Sequence, residues 1–131
     1  MKTAMLTYIE TTADITVSVQ PLFLEERSNV MKKEFIFVYF IKVRNDGSVP
    51  VKLTRRHWDI TDSNGEFHEV DGEGVVGQQP TIAPGKEYAY NSFCVLKSFS
   101  GHMEGTYTME QEDGTAFEIT IPRFHLRAFS N

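Results

Sequence analysis

The sequence predicts an all-β protein: an antiparallel β-sandwich of the immunoglobulin or fibronectin type III kind, with about seven or eight strands. Short segments alternate apolar and polar side chains from Ile15 onward, with the period of two that a half-buried strand shows. Turn residues interrupt these segments about every 8–12 residues, a spacing typical of sandwiches. No segment keeps a helical period over three turns. A small closed barrel is the alternative architecture.

The length and the amino-acid composition are those of one ordinary globular domain. The chain has 131 residues, of which 40% are hydrophobic and 24% are charged. We expect the sandwich to occupy residues 13–128 and the N-terminal segment, residues 1–12, to be poorly ordered. The single cysteine, Cys94, allows no intramolecular disulfide.

The charge and the N-terminus restrict the partners. A net charge of −5 disfavours nucleic acid and anionic membranes. The first residues contain no apolar run that would serve as a signal peptide, and no stretch approaches the ~20 apolar residues of a membrane span. We therefore expect a cytoplasmic protein that binds neither nucleic acid nor membrane.

The strongest strand pattern covers residues 35–43. Its odd-numbered side chains form one apolar face, and Ile36, Val38 and Phe40 make the other face apolar as well. This predicts a central strand covered on both sides, with the first strand and residues 124–126 over the second face. If that face is open, it is a surface for a partner.

A change of parity predicts a bulge in the next strand. Val51 and Leu53 place the apolar face at odd numbers, whereas Trp58 and Ile60 place it at even numbers. A regular strand cannot change faces, so we expect a bulge between Thr54 and His57.

Proline and glycine predict where other strands end. Pro21 indicates an edge strand or a bulge, and Pro122 is expected to end a strand before a last short extended piece. The glycines and prolines of residues 71–85 predict a loop without regular structure.

Several motifs in order resemble the ApaG family, also called the DUF525 domain. They are Arg-His-Trp-Asp-Ile-Thr-Asp at 56–62, Glu-Val-Asp-Gly-Glu-Gly-Val-Val-Gly-Gln-Gln-Pro at 69–80, Ile-Ala-Pro-Gly at 82–85, Gly-x-Met-x-Gly-x-Tyr at 101–107 and Ile-Pro-x-Phe-x-Leu at 121–126. The likeness covers residues 15–126. It implies a fibronectin type III-like sandwich that occurs alone in bacteria and attached to F-box and other interaction proteins in eukaryotes.

The resemblance also implies a role. Bacterial members are linked to magnesium and cobalt tolerance. The glycine-rich segment at residues 69–80, called the glycine block below, has been suggested to bind pyrophosphate or nucleotide. We therefore expect a non-enzymatic interaction module with an unidentified protein partner, with a homodimer left open and no cofactor. A weak pyrophosphate- or nucleotide-binding protein is the alternative, and a phosphohydrolase ranks below it.

The Gly-x-Gly-x-x-Gly spacing is the sharpest candidate site. Glycines allow backbone N–H groups to converge on an anion, and neighbouring arginines suit phosphate. Pro80 prevents the helix that a dinucleotide fingerprint requires, so a purely structural loop remains the other interpretation. The candidate anion- or nucleotide-binding residues are Gly72, Gly74, Val75, Val76, Gly77, Arg55 and Arg56. The bulge is expected to bring both arginines towards one rim.

Metal and catalytic sites find less support. His57, Asp59, His68 and Glu69 include possible ligands but lack the thiols of a structural zinc site, so no metal is predicted. Cys94 lies within a predicted strand and is expected to be a buried small hydrophobe. We predict no catalytic residue and no enzyme activity.

Overall fold

A computed structural model describes residues 6–129 of the chain. Its strands are β1 (Tyr8–Thr12), β2 (Ile15–Phe23), β3 (Phe35–Asn45), β4 (Val51–Asp62), β5 (Phe67–Glu73), β6 (Thr81–Ile82), β7 (Glu87–Leu96), β8 (Ser100–Glu110) and β9 (Ala116–Arg127). Two short 3-10 turns, Glu25–Arg27 and Val30–Lys32, connect β2 to β3. In the part of the chain that the structure describes, no helix is long and apolar enough to cross a membrane.

The strands form two antiparallel sheets, which confirms the predicted all-β sandwich. The first sheet has the order β1-β2-β3-β7. The second has the order β5-β4-β8-β9, and the two-residue β6 also pairs with β4. Since β7 and β5 are edge strands of facing sheets, the sandwich is open between them.

An aromatic group fills the centre of the core. The ring centroid of Trp58 lies 5.5 Å from that of Tyr39, 5.8 Å from that of Phe124 and 6.4 Å from that of Tyr107. All four side chains are buried, and the rings meet edge to face or tilted, as aromatic pairs prefer. The group joins β3 of the first sheet to β4, β8 and β9 of the second.

A bulge in β4 decides which side chains enter the core. The register between β4 and β8 shifts between Leu53 and Arg55, at the start of the predicted interval. Val51 and Leu53 are buried before the shift and Trp58 after it, so the predicted change of parity is confirmed. The consequence is that Arg56 shares the inward face with Trp58.

The N-terminal segment differs from the prediction. Tyr8–Thr12 pairs with β2 as an edge strand, and the Tyr8 ring lies 6.4 Å from that of Phe124. Ala13 and Asp14 form the two-residue turn with φ of 48° and 65°. Because this turn lacks the Asn-Gly or Asp-Gly signal of such hairpins, the sequence did not reveal the strand. Residues 1–5 lie outside the described part of the chain.

The end of the chain also differs. β9 runs through Pro122 as one strand instead of stopping there. The register between β8 and β9 shifts where Pro122 and Arg123 lie opposite Glu104, between the pairs Gly105–Ile121 and Met103–Phe124. Proline is tolerated there because a bulge in an edge strand requires no ladder bond from its nitrogen. The prediction that Pro21 marks an edge strand or a bulge was wrong, since β2 lies between β1 and β3 in regular register. Pro21 is accommodated because it lies beyond the part of β2 that pairs with β1.

Two further predictions were wrong in part. The loop expected over residues 71–85 contains the end of β5 and the short β6. The second face of β3 is not covered: Phe40 is 41% exposed. Residues 124–126 cannot cover that face because Phe124 and Leu126 are buried in the core from the second sheet.

Candidate functional site

A cleft opens between the edge strands β5 and β7. It consists of two cavities of about 520 and 160 Å³ that share four lining residues: Tyr39, Arg56, Trp58 and Ser92. The larger cavity extends along Val70 and Phe93, and the smaller one ends under the glycine block. Most of the lining is apolar or aromatic, and its polar residues include Arg56, Glu69 and Ser92, a composition typical of a small-ligand site.

Arg56 is the cation of this cleft. Its Nη1 donates hydrogen bonds to the carbonyl oxygens of Glu73, at 3.0 Å, and Gly74, at 2.9 Å. The residue is half-buried, and within residues 6–129 no carboxylate lies within the 4.0 Å ion-pair distance of its guanidinium. Two neutral carbonyls therefore hold a charge that lacks a counter-ion in the described part of the chain.

The tyrosines around Arg56 are neutral. Burial raises the pKa of Tyr39 and of Tyr90, and it raises the pKa of the wholly buried Tyr107 as well. The charge of Arg56 acts in the opposite direction on the pKa of all three, but the effect of burial is larger. Tyr90 and Tyr107 share a hydrogen bond between their hydroxyl groups. The cleft thus offers a fixed cation with neutral hydroxyls beside it.

Gly72 makes room for the guanidinium. A Cβ atom at this position would stand 2.9 Å from Nη1 of Arg56 and 3.0 Å from its Nη2. The absence of a side chain lets the planar group lie against the backbone of β5.

Gly74 is required for a different reason. Its φ is +60°, and a Cβ atom there would stand 2.1 Å from the carbonyl oxygen of Gln78. This close approach allows the chain to leave β5 and enter the turn at residues 75–78.

Val76 and Gly77 form a two-residue turn closed by hydrogen bonds in both directions between Val75 and Gln78, at 2.8 and 2.9 Å. Their φ angles of 46° and 77° identify a type I′ turn. Val75 is fully buried, whereas Val76 is 62% exposed at the smaller cavity. A β-branched residue in the left-handed region is strained, and such strain is often found at functional sites.

The glycine block is therefore a shaped turn, and its amides are largely engaged. The N–H of Gly74 donates to the carbonyl of Thr54 at 2.8 Å, and those of Val75 and Gln78 close the turn. The block reaches the cleft through the carbonyl groups that hold Arg56 and through the side chain of Val76.

Arg55 lies on the opposite face of β4. Its Nη2 is 3.9 Å from a carboxylate oxygen of Asp71, and both side chains are exposed. The bulge does not bring the two arginines to one rim. Of the predicted residues, Arg56 meets the glycine block in the cleft, and Arg55 does not.

The outer face of the second sheet carries a separate polar cluster. Nδ1 of His57 lies 2.9 Å from Asp71, and Nε2 lies 2.9 Å from Asp59 and 3.7 Å from Glu69. Hydrogen bonds to Asp71 and then Asp59 raise the pKa of His57, because both carboxylates favour the imidazolium. The possible ligand atoms of His57, Asp59 and Glu69 lie within 4.8 Å of one another, but the hydrogen bonds of His57 to Asp59 and Asp71 already account for this arrangement.

Two other singled-out residues take no part in these groups. His68 lies opposite Ile60 and contacts Glu66 at 3.3 Å, so it does not join His57. Cys94 is buried, as predicted, and burial raises the pKa of its thiol to about 12. A thiol with this pKa supplies very little thiolate at neutral pH.

Known proteins with similar sequences identify the family of this chain. The family model of the ApaG domain, DUF525, matches residues 25–111. The chain belongs to the ApaG family. It is 49% identical over 119 residues to "Protein ApaG" of Paramagnetospirillum magneticum, covering 91% of this chain and 92% of that protein. It is 50% identical over 115 residues to "Protein ApaG" of Anaeromyxobacter dehalogenans, covering 88% and 90%.

A solved crystal structure has the same fold as this chain. The crystal structure of the ApaA protein from Bordetella pertussis superposes on this ApaG-family chain with a TM-score of 0.86. The two are 42% identical, and the match covers 90% of this chain and 96% of the other.

One ApaG motif has a clear structural role in this chain. In the Gly-x-Met-x-Gly-x-Tyr segment, a Cβ atom on Gly105 would stand 1.9 Å from the carbonyl oxygen of His57, and one on Gly101 would stand 2.4 Å from that of Thr61. These glycines let β8 lie close against β4. Met103, between the two glycines, and Tyr107, after the second, are buried in the core.

Sequence reasoning did not identify the cleft walls. Tyr39, Trp58, Tyr90 and Ser92 were not candidate site residues, although all have inward parity on their strands. The available signal was Arg56 itself, an arginine that the bulge places at an inward position. Only the arrangement of edge strands shows that this part of the interior is open.

Proposed function

We propose that this ApaG-family chain is a non-enzymatic binding module whose cleft receives an anionic, phosphate-bearing group at Arg56. The observation that carries the proposal is the half-buried guanidinium without a carboxylate partner among the described residues. Removing a charge from water is costly unless it is paired. An anion in the cleft would provide that pairing.

The donors of Arg56 suit a phosphate. The two carbonyl bonds at Nη1 fix the plane of the guanidinium, and an arginine offers five N–H donors in all. Charge-assisted hydrogen bonds from such a fork are among the stronger ones in proteins. Gly74 shapes the rim beside the guanidinium, and the exposed side chains of Val70 and Val76 present apolar surfaces for the uncharged part of a ligand.

The composition of the cleft supports binding without turnover. The one histidine that lines it, among the described residues, is His68, which contacts Glu66. Ser92 lies opposite Tyr39 in the β3–β7 ladder, and the cysteine of the lining is a high-pKa thiol. A nucleophile activated by a neighbouring base, which hydrolysis through a covalent intermediate requires, does not occur among these residues.

A titration of pyrophosphate and ATP, followed by backbone amide shifts, tests the proposal. Shifts are expected at Arg56, at residues 72–77 and at Ser92. Arg56→Met should abolish saturable binding, and Arg56→Lys should weaken it because the fork is lost. Arg55→Met is the matched control on the opposite face and should bind as the natural chain does. Unmoved amides at millimolar ligand, or unchanged binding by Arg56→Met, would contradict the proposal.

The same titration with Mg²⁺ and Co²⁺ tests whether the binding is associated with either metal ion. An association with magnesium or cobalt homeostasis, which the family resemblance implies, predicts that either ion alters the affinity for the phosphate ligand. Phosphate release should not exceed that of a heat-denatured sample. Release above that level would establish a phosphohydrolase instead.

A protein partner is the second candidate. The exposed apolar side chains of β3 and β7, led by Phe93 at 68% exposure, favour it. Exposed apolar patches on a sheet face are typical interaction surfaces.

A further inference from the structure

The edge of the first sheet at β7 is long and unpaired. β7 contains ten residues, and within the described chain its ladder partner is β3 on one side alone. The backbone N–H and C=O groups on the other side are therefore available to another strand. A free edge of this kind is a template for pairing unless it is blocked.

The other sheet edges carry blocking features, whereas β7 does not. β1 has five residues with Glu10 in the middle, β5 carries three acidic residues and His68, and β9 contains Pro122 at its bulge. Charges, prolines, bulges and short length are the usual means of protecting an edge. Along β7 the one charged residue is Glu87, at its start.

The outer face of β7 adds an apolar surface beside the free edge. Phe93 is 68% exposed and Val95 is 49% exposed. They lie opposite Val38 and Ile36 of β3, so the four side chains form one patch that reaches the edge. A strand added at β7 would extend the sheet and bury this patch.

The ends of the strand carry opposite charges. Glu87 begins β7, and Lys97 is the residue after it; both are exposed. Within the chain Glu87 pairs with Arg44 at 3.8 Å and Lys97 with Glu66 at 3.4 Å, so each would have to share its charge with the second copy. In an antiparallel pair of two identical strands centred on Ser92, Glu87 of each copy lies opposite Lys97 of the other. Asn91 then lies opposite Phe93, and Ala89 opposite Val95. This pattern is self-complementary, as a two-fold symmetric interface requires.

We propose that the chain forms a homodimer in which β7 pairs antiparallel with β7 of a second copy about a two-fold axis at Ser92. The two four-stranded sheets become one continuous eight-stranded sheet. Opposite charges across the strands favour this register, and like charges would oppose a parallel arrangement. The proposal does not depend on Arg56 or on any ligand in the cleft.

Sedimentation velocity of the full chain over a range of concentrations tests the dimer. Phe93→Lys places a charge at the free edge and should raise the dimer dissociation constant at least about tenfold. Ile9→Lys is the matched control, because Ile9 is an exposed apolar residue on β1, the opposite edge of the same sheet. It should dimerise as the natural chain does.

A natural chain that stays monomeric at millimolar concentration would overturn the proposal. So would dissociation by Ile9→Lys with no effect of Phe93→Lys. Circular dichroism of each variant establishes that it is folded before its sedimentation is interpreted.

Cross-linking tests the register without destabilising the edge. In a Cys94→Ala background, Ser92→Cys should give a disulfide-linked dimer on oxidation. The two copies of an axial residue lie directly opposite, with Cβ atoms about 4.5–5.5 Å apart, so a small backbone shift brings them within the ~3.5–4.5 Å of a disulfide. Ser18→Cys in the same background, on the interior strand β2, should remain monomeric under these conditions. Equal cross-linking of the two variants would contradict pairing at Ser92, as would a dimer that Ser92→Cys fails to link.

Discussion

The guanidinium of Arg56 lies against the backbone of Gly72, where a Cβ atom would stand 2.9 Å from Nη1. The two residues are cross-strand partners in the β4–β5 ladder. The carbonyl groups of Glu73 and Gly74, which follow Gly72, then hold the guanidinium in the cleft. The first glycine of the Gly-x-Gly-x-x-Gly spacing thus makes room for an arginine from another strand, and its contribution to the proposed anion site is indirect.

Gly72→Ala should therefore weaken pyrophosphate binding while leaving the fold intact. The new methyl group meets the end of a long flexible side chain, which can move away, so unfolding free energy should change by less than about 1 kcal/mol. Binding is measured by amide titration and stability by urea unfolding. In an Arg56→Met background the same substitution should have no further effect on binding. A purely structural role for Gly72 would reverse the result, with stability lost and binding unchanged.

Val76→Asn should stabilise the protein by about 1 kcal/mol. Val76 has a φ of 46° in a type I′ turn, a conformation that costs a β-branched residue energy and that asparagine adopts readily. The urea midpoint should rise with an unchanged m-value. Val75→Asn, one residue earlier, is the contrasting control: Val75 is fully buried, and the substitution should destabilise. A fall in the midpoint for Val76→Asn would show that the left-handed conformation is not strained.

Gly105→Ala should destabilise the fold by about 3 kcal/mol. Its Cβ atom would stand 1.9 Å from the carbonyl oxygen of His57, a backbone atom held in the β4–β8 ladder that cannot move aside cheaply. Gly47→Ala is the control, since its nearest contact is the Asn45 side chain at 3.2 Å, and it should cost less. Thermal and urea unfolding measure both variants, and equal losses would refute the argument from close approach.

His57 should make stability depend on pH. Hydrogen bonds to Asp71 and Asp59 raise its pKa above the ordinary value of 6.5, so the folded state binds the proton more tightly than the unfolded state. The stabilisation is present in full below about pH 6.5 and is lost as pH rises through the higher folded pKa. Because these side chains are partly exposed, we expect less than about 1 kcal/mol.

The difference in unfolding free energy between the natural chain and His57→Gln should accordingly shrink as pH is raised. Proton NMR of the His57 ring gives its pKa directly, and Asp71→Asn should lower it. An Asp71→Asn variant with an unaltered His57 pKa would exclude the hydrogen bond as the cause.

Local patterns were sufficient for several features because their causes are local. The alternation of residues 35–43 reflects the period of a strand, and the parity change after Leu53 requires a bulge whatever the bulge packs against. The parity did not yield the position of Arg56, because the bulge was expected to bring both arginines to one rim. The family of the chain could be read from ordered motifs.

Other features depend on residues far apart in the sequence. β1 was missed because Ala13-Asp14 is an uncommon hairpin turn and its strand is stabilised by β2 and Phe124. The prediction wrongly ended a strand at Pro122. The bulge that accommodates this proline depends on the register with β8, which local sequence does not specify. The exposure of Phe40 depends on where the C-terminal residues pack, and they pack in the core.

By itself, then, the sequence determined an all-β ApaG-family chain with a bulged β4 and a glycine-rich turn, because periodicity and turn chemistry act over a few residues. The tertiary structure decided that Arg56 faces an open cleft, that Arg55 is on the opposite face, and that β7 has a free apolar edge. Those outcomes depend on which strands become edges and where two sheets fail to meet. Strand order is set by packing over the whole chain, so no local pattern specifies it.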